Sequence, residues 1–154
     1  MSHFKHALQI RHVDAGSCNG CEQELTALTS QAYDWQRFGL DIVASARHAD
    51  ALLVTGPTSD TMARPLTHVF NAIASPKIRI AFGDCAAGCG VFENAYAVHS
   101  QRQRSDLVIR GCPPDPEQAL DALRNWMQRS RDSADGEIPR PIPNDHDQGS
   151  QEAD

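Results

Sequence analysis

The sequence predicts an α/β fold: a mostly parallel β-sheet covered by helices. Three observations carry that expectation. Short apolar runs of strand length alternate with longer runs of helical spacing. One strand run, Ala51–Thr55, is apolar on both faces, as in a buried parallel sheet. Right-handed crossovers then bring successive strands into register on one sheet, with the helices packed over it.

The elements follow in order. Ala7 to Val13 reads as the first strand, with Leu8, Ile10 and Val13 interleaved with polar residues and a stop at Asp14-Ala15-Gly16-Ser17. A helix follows, with Asn19 or Ser17 as its cap, Glu22 and Glu24 at its positive end, and Leu25 and Leu28 on one side. After the aromatic stretch Tyr33-Asp34-Trp35-Gln36-Arg37-Phe38-Gly39, the runs Leu40–Ser45 and Ala51–Thr55 are two short strands. Gly56-Pro57-Thr58-Ser59 opens a helix carried by Met62, Leu66, Val69, Phe70 and Ile73, with Pro65 marking its first turn or a kink. Ile78–Phe82 and Leu107–Ile109 are the last strands. The final helix runs from about Pro116 to Arg129 on the stripe Ala119, Leu120, Leu123, Trp126 and Met127.

A chain of 154 residues with 40% hydrophobic residues suits one compact domain. Its formal net charge of -6 is concentrated at one end. Residues 132–154 hold seven acids and only Arg140, whereas residues 1–131 balance thirteen acids with thirteen Lys and Arg. We therefore expect an iron–sulfur α/β domain over 1–131 and an acidic, proline-containing, disordered tail over 132–154. No basic nucleic-acid footprint and no Lys-rich membrane-surface helix is present. No secretory signal and no bilayer-length apolar run is visible, so a cytoplasmic chain is expected. Five cysteines in such a chain point to metal or redox chemistry rather than a disulfide framework.

Cys18-Asn19-Gly20-Cys21 has the C-x-x-C spacing that lets one turn offer two thiolates to a metal centre. Alone it also fits a structural zinc module, a thiol–disulfide enzyme, or two unrelated buried thiols. Gly83-Asp84-Cys85 and Gly111-Cys112-Pro113-Pro114 shift the balance, because each delivers a further thiol at the carboxyl end of a strand, where open α/β sheets bind ligands. Two, one and one thiolates from three turns satisfy a cubane cluster. A zinc ribbon brings two close pairs, and a dithiol enzyme needs only Cys18 and Cys21.

Cys18-Asn19-Gly20-Cys21-Glu22, Gly83-Asp84-Cys85-Ala86 and Gly111-Cys112-Pro113-Pro114, in that order, resemble the family of the [NiFe] hydrogenase small subunit and the complex I 20 kDa subunit, over residues 7–130. The separated first pair is closer to the membrane-bound energy-converting hydrogenases and formate hydrogenlyase than to complex I, where the two cysteines are adjacent. The resemblance implies a flavodoxin-like fold with helices on both faces. It also implies one [4Fe–4S] cluster held by Cys18, Cys21, Cys85 and Cys112, with no catalytic residue in this chain. The expected partners are a large catalytic subunit bearing a [NiFe] or quinone site, a ferredoxin-like iron–sulfur subunit, and the membrane subunits of the same complex. That makes the chain a non-catalytic electron relay, peripheral to the inner membrane, in a hydrogenase-like complex or, alternatively, a complex-I-like NADH:quinone oxidoreductase.

Several other residues have two readings. Cys89 is a small buried thiol, or one that exchanges with Cys85 or senses redox state. Glu22 stabilises a helix end or couples protons to cluster reduction. Asp14, Asp84 and Arg110 close turns or tune the cluster potential. His12 and His68 read as packing or surface histidines, and Arg102 and Arg104 as a solvated face. Tyr33, Trp35 and Phe38 form an exposed anchor for the large subunit or fold back on the core.

Overall fold

The computed structural model describes residues 6–98 and 104–132; the tail beyond Asp132 and Arg102 lie outside the described residues. Strands β1 (Leu8–Asp14), β2 (Leu40–Ile42), β3 (Ala51–Thr55), β4 (Ile78–Phe82) and β5 (Leu107–Ile109) form one sheet in the order β2-β1-β3-β4-β5. Every pairing is parallel, so the described sheet is wholly rather than mostly parallel. This is the flavodoxin-like strand order, with its topological switch between β1 and β3.

Alternation along the strands sorts the core into two layers. Leu8, Ile10, Ala51, Leu53, Ile78, Ile80 and Phe82 face helices α1 (Gly20–Leu28) and α3 (Pro116–Asp132), which contribute Leu25, Leu28, Leu120, Leu123 and Trp126. Leu52 and Val54 face the other way, onto Leu66 and Ile73 of the segment containing α2 (Asp60–Ala72). Helices therefore cover both faces. Fully burying one leucine contributes about 1.5–3 kcal/mol, so the α3 stripe anchors that helix by several such side chains.

Four local expectations change. Pairing of β2 with β1 stops at Ile42, and the chain turns into a 3-10 helix at Ala46–His48, so this strand is shorter than its apolar run. Pro65 sits in the second turn of α2, where the missing N–H leaves the Thr61 carbonyl without its helical donor. Helix α3 continues to Asp132, with Ser130 buried beyond the apolar stripe and Arg129 and Arg131 suiting the negative helix end. The aromatic stretch folds back: Trp35 is fully buried in a 3-10 helix (Trp35–Phe38), and Tyr33 and Phe38 pack against the core. It is no exposed anchor. Arg124 stacks 4.3 Å from the Phe38 ring and closes the contact with α3.

One charged side chain lies inside the α2 side of the sheet. Arg79 is 9% exposed, its Nε has no hydrogen-bond partner, and burial lowers its guanidinium to about 10.

Candidate metal centre

Because all strands run one way, their carboxyl ends share one edge, and the loops after β1, β4 and β5 all open there. The sheet ladders extend into those loops. Ala15 N donates to Thr55 O (2.9 Å), Gly83 N to Ile109 O (2.8 Å) and Asp84 N to Gly111 O (2.9 Å). Cys18, Cys21, Cys85 and Cys112 are thereby brought around one small, mostly apolar cavity of about 90 Å³, closed also by Pro57, Phe92 and Pro113.

The turn carrying Cys18 and Cys21 is set locally. Asp14 Oδ1 accepts from Gly16 N (2.9 Å) and Ser17 N (2.7 Å), an Asx-type turn that ends β1. Asn19 occupies the cap position of α1, but at φ 71 its side chain makes no capping bond. The expected cap is replaced by Ser17 Oγ, which accepts from Asn19 N (3.0 Å) and donates to Glu22 Oε2 (2.6 Å). The left-handed residue tightens the turn just before the helix.

The other two thiols are set by loops that hold each other. Asp84 Oδ1 accepts from Arg110 Nε (2.6 Å) and Gly111 N (3.1 Å), tying the loop of Cys85 to that of Cys112. Burial alone would raise the Asp84 carboxyl, but the Gly111 N–H and Arg110 together hold it below the usual value. Glycine is required twice. A Cβ on Gly83 (φ +95) would stand 2.7 Å from Cys21 Sγ, and one on Gly111 (φ +134) would stand 2.6 Å from Pro114 Cα.

The electrostatics show how closely the thiols crowd. Burial pushes the Cys21 thiol up to about 12, with Glu22, Cys85, Cys18 and Cys112 adding to the rise. Cys85 is raised by burial and then by Cys112 and Cys18. Each resists becoming a thiolate until a positive centre arrives. Binding of iron or zinc would supply that charge, since metal ligation deprotonates coordinating thiols. Among the described residues no three His, Cys, Asp or Glu side chains converge on a single-ion site. The four thiols ring a cavity instead of meeting at a point, which fits a group with several metal atoms.

Cys89 does not line the cavity. Its N–H donates to Asp84 O (3.0 Å) and its Sγ lies 3.5 Å from the same oxygen, so it belongs to the turn behind Cys85. Asp14 and Asp84 close turns, Arg110 bridges two loops, and His68 has no link to the site. None of the five cysteines forms a disulfide.

Residue periodicity missed two features. Thr55, at the end of β3, donates to Glu22 Oε1, and His12 Nε2 lies 2.9 Å from Thr55 Oγ1; a lone hydroxyl ending an apolar strand was the available signal. Val91, Phe92 and Tyr96, in the loop after Cys85, are 85%, 44% and 99% exposed. They form the apolar surface beside the thiols. The largest cavity, about 750 Å³, lies at the opposite end of the sheet between Phe38, Arg37, Arg124 and Arg131, and holds no thiol.

Comparison with known proteins adds kinship to this geometry. Residues 18–126 match the family described as NADH ubiquinone oxidoreductase, 20 Kd subunit. The chain is 38% identical over 133 residues to the probable membrane-bound hydrogenase subunit mbhJ of Pyrococcus furiosus, covering 84% of this chain and 80% of that one. It is also 38% identical over 120 residues to formate hydrogenlyase subunit 7 of Escherichia coli, covering 76% of this chain but 47% of that relative. Among solved structures, a chain of the archaeal membrane-bound sulfane sulfur reductase superposes with a TM-score of 0.72 at 28% identity, covering 84% of this chain and 73% of that one.

Proposed function

The chain belongs to the family of the NADH ubiquinone oxidoreductase 20 Kd subunit, and from that premise we propose that it is an electron-relay subunit holding one [4Fe–4S] cluster through Cys18, Cys21, Cys85 and Cys112. The observation that carries the reading is the ring of four thiols, delivered two, one and one by three strand-end loops around one cavity. When bound, the cluster supplies reversible one-electron storage. The chain's own part is to hold the thiolates, exclude water with Pro57, Pro113 and Phe92, and fix loop spacing through Asp84 and Arg110. It carries out no bond chemistry.

The relay needs partners on both sides. Exposed Val91, Phe92 and Tyr96 beside the thiols support burial against a large catalytic subunit, because contiguous exposed apolar side chains mark interaction surfaces. A ferredoxin-like subunit would deliver or receive the electron. The kinship with hydrogenase and formate hydrogenlyase subunits supports a membrane-associated, hydrogenase-like complex of this kind. No described helix is long and apolar enough to cross a membrane, which fits attachment through other subunits, on the cytoplasmic side. A second reading, relay to a quinone site, is favoured by the family's own description.

Iron and sulfide analysis of anaerobically prepared protein tests the centre. About four of each per chain, with one spin-half signal after dithionite reduction, is expected. Stoichiometric zinc without iron would sink the reading. The co-purifying large subunit separates the two complexes: two cysteine pairs for nickel indicate the hydrogenase type.

A further inference from the structure

A hydrogen-bonded chain runs from the Cys18 turn into the sheet. Ser17 Oγ donates to Glu22 Oε2 (2.6 Å), Thr55 Oγ1 donates to Glu22 Oε1, and His12 Nε2 stands 2.9 Å from Thr55 Oγ1. Its members come from the turn, α1, β3 and β1, so the tertiary fold alone assembles it. Glu22 follows Cys21 directly, and His12 Nε2 is 3.7 Å from Glu22 Oε1.

The direction of these bonds fixes the imidazole's tautomer. The Thr55 hydroxyl has one hydrogen, which it gives to Glu22. Thr55 Oγ1 therefore accepts from His12, and neutral His12 carries its proton on Nε2. Its Nδ1 is left as a lone-pair nitrogen with no hydrogen-bond partner among the described residues. The side chain is 23% exposed, enough for a proton to reach it from water.

We propose that His12 is a proton-accepting positioning residue whose protonation follows reduction of the cluster. This inference rests on the cluster reading above. An electron added among the four thiolates places negative charge beside the Glu22 carboxylate. Glu22 stays ionised, held by the two hydroxyls, and His12 takes up the compensating proton. The balance is simple: one electron comes from a low-potential one-electron donor, one proton comes from water, an Nδ1–H bond forms on His12, and no bond in the chain breaks.

The charged groups facing His12 set the interval in which this happens. Burial lowers its pKa below 6.5, against the pull of Glu22 from α1 and Asp14 on its own strand and with the push of Arg11; β3 presents only the uncharged Thr55. With the cluster oxidised, His12 is therefore neutral at pH 7. Reduction raises its affinity for a proton, so the midpoint potential falls with rising pH between the oxidised-state and reduced-state pKa values, by up to one proton per electron.

The test is a redox titration of the reduced-cluster spin signal in the full chain at a series of pH values from 5.5 to 9, with dithionite as reductant. Wild-type protein should show the sloping interval, and His12→Gln a potential independent of pH across it. Thr55→Val, which cuts the link to Glu22 while keeping the side chain's shape, should shorten that interval, and it serves if His12→Gln fails to assemble. A wild-type potential that is flat while the signal is present overturns the proposal alone, as does an unchanged slope in His12→Gln. Protein that gives no reduced-cluster signal removes the cluster reading and this inference with it.

Discussion

Cys18 and Cys21 sit in a turn that hydrogen-bonds to itself within a few residues, whereas Cys85 and Cys112 sit in two loops that hold each other across 26 or 27 residues of chain. The first half of the thiol ring is local structure. It forms wherever Asp14, Ser17 and Asn19 close their turn and α1 begins. The second half exists only once β4 and β5 have paired, because Asp84 meets Arg110 and Gly111 at the end of that ladder. The long-range half is also the one with exposed apolar side chains, so it is the half that a partner subunit would finish.

The largest effect that sharpens this contrast comes from the two neighbouring thiols after β4. Cys85→Ser should lose the cluster or leave a centre with fewer irons, while Cys89→Ser, which alters only the turn behind it, should keep full iron content and the reduced-state spectrum. Both are read by iron analysis and spin resonance, with the double variant alongside to detect rescue by the remaining thiol. If Cys89→Ser empties the site and Cys85→Ser does not, the loop's two thiols have exchanged roles.

A smaller effect is expected at the tie between the loops. Asp84→Asn keeps an acceptor for Gly111 N but gives up the charged bond to Arg110, whose side chain is 39% exposed. The solvent-screened loss should be about 1 kcal/mol. Because the folded-state carboxyl lies below its ordinary value, its stabilisation is present above the unfolded pKa of about 3.9 and is lost as pH falls through the folded value. Urea unfolding of metal-stripped protein should therefore show a gap between wild type and Asp84→Asn at pH 7 that closes in strong acid. A gap constant with pH would show that Arg110 does not act through charge.

The smallest effect concerns residues 133–154. Their acidic, proline-bearing composition has too few apolar groups to build a core, and every thiol lies before Asp132. Shortening the chain after Asp132 should leave iron content unchanged. Loss of iron would mean that the segment shields one half of the ring.

Much of the fold was legible because periodicity is a local property. The bounds of Ile78–Phe82 and Leu107–Ile109 agree with the observed strands residue for residue, and Ala51–Thr55 is buried on both faces as its composition demands. The departures all involve a contact with a distant segment. Pairing with β1 rather than the apolar run decided where β2 stops. Trp35 reads equally well as an anchor or as core until α3 lies beside it. Asn19 belongs to the residue types that cap helices, yet its left-handed backbone turns that side chain away from the task.

The sequence by itself determined the alternating elements, the three cysteine turns and the edge at which they lie, because strand ends and glycine turns are written in neighbouring residues. Only the tertiary structure decided which thiol of the Cys85–Cys89 pair faces the cavity, that Thr55 joins His12 to Glu22, and that Val91, Phe92 and Tyr96 stand in solvent. Each of these depends on where two chain segments tens of residues apart come to rest, and parallel pairing sets that position through backbone hydrogen bonds that carry no mark of side-chain identity.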